Sequence, residues 1–296
     1  MVKKIILSFI LLPLFTLAAR YPLPAQGDIV GQIQYVNARP GESLIRLARE
    51  YDVAPSKMID ANPQYKTKML HPGDKIVIPT QFILPSYRQG IVINLAELRL
   101  YYFPPNQPYV YTYPVGLGRQ GWRTPSGETE IVRKVKDPSW RVPVSVRQYM
   151  LHYHDKEYPE VVPPGPDNPL GHYALYLNMP SILIHGNNDP NAIGKYVSSG
   201  CIRMYNQDIE QLFNMVEVKT PVYIIHHPNK AGWKQEKFYL ESHRHMKTYP
   251  KPNGYNQAPM AEVVTKQYPH PLSDNQVQQI AEVHENKTGV PTLIHH

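Results

Sequence analysis

The sequence predicts a mainly-β protein, a β-sandwich or barrel-like domain with one clear helix, preceded by a small strand–helix–helix–strand module. Three observations point there. Proline supplies 31 of 296 residues, roughly twice the usual share of about 5%, and prolines that frequent break long helices. Between residues 91 and 225 the apolar residues fall in short runs bounded by turn residues, the pattern of strands. In that stretch a helical stripe is clear only at 206–216, where Ile209, Leu212, Phe213 and Val216 share a face and Asn206 can cap the start.

In chain order, Lys3 and Lys4 precede an apolar stretch over 5–19, and no acid occurs before Asp28. That is the pattern of a secretory leader over 1–19, with Thr16-Leu17-Ala18 or a nearby small-residue site for cleavage between 18 and 25. At about fifteen residues it is short of the roughly 20 that a membrane span needs, so no transmembrane span is expected once the leader is removed. Residues 35–79 form the small module: the end of a strand expected over 31–37, a Ser43-capped helix with Leu44, Leu47, Ala48 and Tyr51 on one face, a second short helix at 55–61, and a strand at 75–79. A linker is expected at 80–90. The second domain, 91–226, opens with a hairpin turning near Ala96-Glu97, and has further strands at 109–115, 130–135, 173–177, 182–184 and 222–225. The extension at 227–296 is polar and rich in Pro and His, with a helical patch near 274–284, and is expected to wrap the surface or lie partly loose.

The net charge of +7 favours anionic partners, but no Lys/Arg run exceeds two residues and no nucleic-acid-binding motif is present. A single Cys excludes an intramolecular disulfide, a Cys-rich zinc site and an iron–sulfur cluster. In an exported protein such a thiol usually has a task.

That thiol is Cys201, within Ser198-Ser199-Gly200-Cys201-Ile202-Arg203-Met204. Sixteen residues earlier, His185-Gly186 ends the apolar strand Ile182-Leu183-Ile184. A thiol becomes a nucleophile as thiolate, and an imidazole can hold its proton. Gly200 leaves room for a substrate carbonyl, backbone N–H groups near Cys201 can stabilise an oxyanion, and Arg203 can hold the loop or face an anionic substrate. These residues alone leave open an inert buried Cys beside a hydrogen-bonded core His.

The residues Tyr35-Val36, Pro40-Gly41-Glu42-Ser43-Leu44, Asn62-Pro63 and Leu70-x-Pro72-Gly73-x-x-Ile76-x-Ile78-Pro79 resemble a LysM module, a binder of cell-wall glycan strands. His185-Gly186-x-Asn188 with Ser198–Met204, supported by Gly121-Trp122-x-Thr124-Pro125 and Asn168-Pro169-Leu170-Gly171, resembles the L,D-transpeptidase (YkuD) family. The pair of modules is similar to periplasmic enzymes that attach the murein lipoprotein to peptidoglycan. The resemblance implies a cysteine acyltransferase that needs no cofactor or metal. Cys201 would attack the carbonyl of meso-diaminopimelate in a tetrapeptide stem and release D-Ala. The thioester would pass to an amine, a lipoprotein Lys or a second diaminopimelate. It also implies His185 as the base, titrating near neutrality, with the Gly186 carbonyl orienting it. Ser199 and Gly200 would lie at the oxyanion site, Ser198, Arg203 and Tyr173 would contact substrate, and carbapenems would acylate the thiol. Many members carry His where this chain has Ser199.

Other chemistries remain to be separated. Thirteen His residues, including the pairs His152/His154, His226/His227 and His243/His245, raise a metal hydrolase, although none has the helical two-His spacing of a metalloprotease. A non-catalytic wall-binding scaffold is a second alternative. The same thioester could instead pass to water, giving a carboxypeptidase or endopeptidase.

Overall fold

The computed structural model describes residues 19–244 and 259–295. Apart from Ala19, the expected leader lies outside the described residues.

In chain order the elements begin with β1 (Ala19–Pro22) and β2 (Ile29–Gly31). The small module is β3 (Gln34–Asn37), α1 (Leu44–Glu50), α2 (Pro55–Ala61) and β4 (Lys75–Ile78), followed by β5 (Gln81–Ile83). The larger domain runs through β6 (Gly90–Asn94), β7 (Arg99–Phe103), β8 (Tyr109–Pro114), β9 (Leu117–Gly118), β10 (Gly127–Lys136) and β11 (Trp140–Arg141). It continues with α3 (Val144–His154), β12 (Val161–Val162), β13 (Tyr173–Leu177), β14 (Leu183–His185), β15 (Tyr196–Ser198), β16 (Ile202–Arg203), α4 (Asn206–Met215) and β17 (Pro221–Ile225). Last come β18 (Asn229–Lys234), β19 (Lys237–Ser242), α5 (Met260–Gln267), α6 (Asp274–Asn286) and β20 (Thr292–Leu293).

The small module folds as its sequence pattern dictates. The Ser43 side chain accepts from the Arg46 N–H, β3 pairs antiparallel with β4, and Leu44, Leu47, Ala48, Met58, Ile76 and Ile78 make its core. The expected strand at 31–37 is two strands, because 29–31 pairs with β5 while 34–37 pairs with β4. The segment 80–90 is correspondingly no free linker. Its β5 is buried throughout, and Ile83 N–H donates to Glu241 in the C-terminal unit.

The main sheet has nine strands in the order β1-β8-β7-β6-β17-β10-β13-β14-β16. Both faces of its centre are buried, which is why β6 and β7 read as apolar runs. Ile91, Ile93, Leu100 and Tyr102 face one core with α4, while Val92, Tyr101 and Phe103 face another with Val30, Phe82 and Leu84. Helix α4 is held by Ile209, Leu212 and the following Val216, each fully buried and worth about 1.5–3 kcal/mol. Asn206 is not its cap. It is the first helical residue, the preceding Tyr205 makes no side-chain capping bond, and the Asn206 Oδ1 accepts instead from Asn187 N–H at 2.9 Å. Packing, worth several times a cap of about 1 kcal/mol, makes that diversion affordable.

Two expectations fail here. The larger domain has a second helix, α3, and the described parts of the extension, 227–244 and 259–295, are folded. Strands β18, β19 and β20 form a sheet whose core joins Phe238 and Leu240 to Met260, Val264, Tyr268 and Val283 of the helical segment. Its polar composition hid eight or so core positions spread over two helices and a hairpin. A buried ion cluster ties this unit to the main sheet, with Lys230 Nζ bonded to Glu97 and Glu241 and His243 beside them. Such a cluster fixes register more than it stabilises. No helix among the described residues is long and apolar enough to cross a membrane.

Candidate active site

Strands β14 and β16 run parallel, with Ile184 opposite Ile202 and His185 opposite Arg203. Alternation then sorts the side chains. Ile184 and Ile202 point into the main core, which leaves His185, Arg203 and, two residues before it, Cys201 on the opposite face. All three line one cleft of about 1140 Å³.

The imidazole is buried, at 3% exposure. Its Nδ1 lies 2.7 Å from Gly186 O, so the neutral ring donates from Nδ1 and keeps its lone pair on Nε2. Gly186 must be glycine: a Cβ there would sit 2.4 Å from Asn206 Oδ1, the atom that holds the following residue. Burial, then the Arg203 charge, push the His185 pKa down to about 3, against the pull of the Gly186, Leu170 and Pro169 carbonyls. Burial thus favours the neutral ring at rest, against the expectation of a titration near neutrality.

Cys201 is the sole cysteine and is half-buried. Its Sγ donates to Ser181 O at 3.3 Å. Burial pushes the thiol up, with a Leu183 N–H bond and the Arg203 charge opposing. The resting site is thus a neutral thiol and a neutral imidazole, with a carbonyl-bound ring ready to accept charge.

The loop before Cys201 is braced from inside. Ser198, 1% exposed, donates its hydroxyl to Cys201 O at 2.6 Å and accepts from Gly200 N–H at 3.2 Å. Expected to touch substrate, Ser198 spends its hydroxyl shaping the turn. Gly200 adopts φ +111, a region that favours glycine, and its carbonyl accepts from Thr124 Oγ1 at 2.8 Å. Ser199 is exposed on the cleft wall. Arg203 Nε is buried without a hydrogen-bond partner among the described residues, and burial lowers its pKa. Tyr173 does not line the cleft. Its hydroxyl donates to Glu210 Oε1 at 2.8 Å and its ring packs on Phe213, so the expected substrate contact is corrected to a brace for α4.

The rest of the cleft was not singled out in the sequence. Arg119, Arg133 and Arg141 join Arg203 in its lining, with Trp122, Trp140, Tyr158 and Tyr176 between them. Arg133 lies over the Tyr176 ring at 3.9 Å. Residues 138–163, comprising β11, α3 and β12, form a flap over the cleft. Both its ends are pinned by Asn168, whose Nδ2 donates to Pro138 O at 2.8 Å and Pro163 O at 3.1 Å.

The histidine pairs raised as an alternative are not seen to form a metal site among the described residues. His152 and His154 are exposed on α3, and His245 lies outside the described residues. Among the described residues the one metal-capable cluster is Glu97, Glu241 and His243, and the Lys230 ammonium is bonded within it.

Comparison with known proteins finds relatives along most of the chain. The L,D-transpeptidase catalytic domain matches residues 88–224 and the LysM domain residues 38–79. The chain is 36% identical to "Probable L,D-transpeptidase ErfK/SrfK" of Salmonella typhimurium, over 95% of this chain and 92% of that protein. It is 40% identical to "Probable L,D-transpeptidase YbiS" of Escherichia coli, over 78% and 77%. The catalytic domain of the E. faecium L,D-transpeptidase, solved by NMR, overlaps 48% of this chain and all of its own length, at 20% identity and TM-score 0.36.

Proposed function

The chain belongs to the L,D-transpeptidase family, and from that premise we propose that it is a periplasmic enzyme transferring peptidoglycan stem peptides to a lipoprotein lysine. The observation that carries the reading is the shared face of β14 and β16. It sets Cys201, Arg203 and the Gly186-bound His185 along one cleft wall.

In the first half-reaction His185 Nε2 takes the thiol proton as sulfur attacks the meso-diaminopimelate carbonyl. The C–N bond to D-Ala breaks, the leaving amine takes the proton, and a thioester remains on Cys201. Gly200 N–H is spent on Ser198, which leaves the Cys201 N–H as this loop's donor to the oxyanion. Four arginines around the cleft suit the carboxylates that a stem peptide carries. In the second half-reaction a neutral amine attacks, the C–S bond breaks, and His185 carries the amine proton back to sulfur. A free Lys near pKa 10.4 is only about 0.1% neutral at pH 7, so the rate of attachment rises with pH. The LysM module holds glycan strands near the cleft, and the leader exports the chain.

The test is product analysis by mass spectrometry after mixing enzyme, tetrapeptide muropeptide and lipoprotein. Lipoprotein conjugates with release of D-Ala are expected. A mixture of 3–3 dimers, or tripeptides alone, overturns the acceptor and leaves a crosslinking or hydrolytic enzyme. A carbapenem, whose strained carbonyl the same thiol attacks, adds one drug mass to the wild type and none to Cys201→Ala.

A further inference from the structure

Ala19 lies in strand β1 and pairs with Thr112 on β8. The Ala19 backbone N–H donates to the Asp52 carboxylate. Asp52 belongs to the LysM module, in the turn between α1 and α2, where it holds φ +54. Its Oδ2 is buried and has no hydrogen-bond partner among the described residues, and the same is true of Asp208 Oδ2. Asp208 comes from the first turn of α4 in the catalytic domain and is 2% exposed. The two carboxylates feel each other's charge across the seam between the modules.

One buried cation serves both. Arg99, 4% exposed, directs its guanidinium bonds at neutral oxygens, Thr112 Oγ1 at 2.7 Å and Asp52 O at 2.8 Å. The remaining neighbours are Tyr21, Tyr113, Tyr205 and Arg49. Arg49 bonds Asn191 Oδ1 at 2.6 Å. Burial pushes the Asp52 carboxyl up to about 6 and Asp208 well above its ordinary range. Buried carboxylates without counter-charge are costly, and this pair lies where the LysM module meets the catalytic sheet. Ala54 and Ser56 flank the contact, Ala54 in the main core and Ser56 Oγ donating to Gly194 O at 2.8 Å.

The residues Thr16-Leu17-Ala18 that precede Ala19 fit the small-residue rule for leader cleavage. Hydrolysis there breaks the Ala18–Ala19 amide. Water's hydroxyl goes to the Ala18 carbonyl carbon, and the Ala19 nitrogen takes up protons to become an α-ammonium, whose ordinary pKa is about 7.7–8.0. A neutral one-proton donor becomes a three-proton cation at the same atom.

We propose that Ala19 is the first residue of the exported protein and that its α-ammonium is the counter-ion of the Asp52/Asp208 pair, fastening the LysM module to the catalytic domain once the leader is removed. Processing then does more than release the chain. It completes an ion cluster that the precursor cannot make, so the mature docking of the two modules is coupled to export.

The full-length chain, produced with its own leader and recovered from the periplasm of a Gram-negative host, is expected to begin at Ala19 by intact mass and N-terminal sequencing. Any other first residue, or an uncleaved chain, overturns the assignment. The second arm compares two cytoplasmic products. One begins at Ala19 after removal of the initiator Met, and the other carries Gly-Ser ahead of Ala19, so the amine is displaced. The free-Ala19 form is expected to melt higher by several degrees, and its α-amine to react more slowly with an amine-labelling reagent. In Asp52→Asn/Asp208→Asn the gap in melting temperature should close. Equal melting of the two wild-type forms, or a gap that survives the double substitution, overturns the proposal.

Discussion

The two walls of the cleft are built on different terms. The catalytic wall, β14 and β16, is part of the nine-stranded sheet, and its alternate residues Ile184 and Ile202 are sealed in the main core. Three side chains that shape it are committed to backbone: His185 to Gly186 O, Ser198 to Cys201 O, Thr124 to Gly200 O. The flap opposite, residues 138–163, has little core of its own. In α3 only Val146 is buried, while Val144, Leu151 and Tyr153 are exposed. It is held by Asn168 at its ends and by aromatic and guanidinium contacts along its length. The difference suits a division of labour that can be tested: chemistry on the wall sealed into the core, substrate contact on the wall with little core of its own. Substitutions on the first should change kcat, and those on the second KM.

The largest effect is expected from Cys201→Ala. Losing the nucleophile should lower acyl transfer by at least about a thousandfold, with the melting curve almost unchanged because the sulfur is half-buried and its partners are backbone groups, Ser181 O and Leu183 N–H. Thioester capture by mass spectrometry and thermal melting check both halves. Measurable turnover by the variant would move the nucleophile elsewhere on that wall.

His185→Gln comes next, with a loss of about a hundredfold or more, mostly in kcat. The pH dependence is the sharper measurement. His185 is held near pKa 3 and the thiol is pushed up, so wild-type Cys201 alkylation should rise with pH into the alkaline range and show no inflection near 6.5. An inflection there that His185→Gln abolishes would mean a resting thiolate–imidazolium pair. The same depression has a stability consequence. The unfolded imidazole, at about 6.5, binds the proton more tightly than the folded one. The His185 contribution is thus intact above that value and is lost as pH falls from about 6.5 towards about 3. Guanidinium melts across this range should lose stability in the wild type more steeply than in His185→Gln.

The same contrast explains what the sequence revealed. Residues whose role is fixed by local pattern were legible: the Ser43 cap and the apolar stripe of α1, the hairpin of β6 and β7, and the Ser-Ser-Gly-Cys loop after a strand ending in His. What failed depended on partners distant in the chain. Asn206 looks like a helix cap until Asn187 claims its oxygen. Tyr173 and Tyr176 are indistinguishable by type, and only the register of β13 decides that one braces α4 while the other meets Arg133 in the cleft. Helix α3 was missed because most of its apolar residues face outward. The C-terminal unit read as loose because its core is assembled from positions more than sixty residues apart, Ala231 to Ile294.

On the flap side, Asn168→Ala should have a moderate effect. The side chain is 1% exposed, and it satisfies Pro138 O and Pro163 O while its Oδ1 accepts from Leu170 N–H at 2.9 Å. Leaving such buried groups unpaired costs about 1–3 kcal/mol. The flap ends should loosen, and kcat/KM should fall about tenfold, equivalent to about 1.4 kcal/mol, chiefly through KM. A fall confined to kcat would show that Asn168 acts through the neighbouring Pro169 and Leu170 carbonyls on His185, and the two walls would then not be separable.

The smallest effect is expected at Tyr149, and it is the most discriminating. The Arg119 guanidinium lies 4.0 Å from the Tyr149 ring centroid and 5.0 Å from that of Trp122, which meets Tyr149 edge-on at 5.7 Å. Arg119 is thereby clamped between the cleft lip and α3, one of the contacts holding the flap's middle. A cation–π contact at a partly exposed site is worth about 0.5–1 kcal/mol. Tyr149→Ala should therefore raise KM by about threefold and leave kcat alone, with a change in Trp122 fluorescence reporting the lost ring contact. Tyr149→Phe keeps the ring face, and so should match the wild type in both constants. If Tyr149→Phe raised KM as much as Tyr149→Ala, the hydroxyl would be meeting substrate directly, and the flap would be a binding surface in its own right rather than a tethered cover.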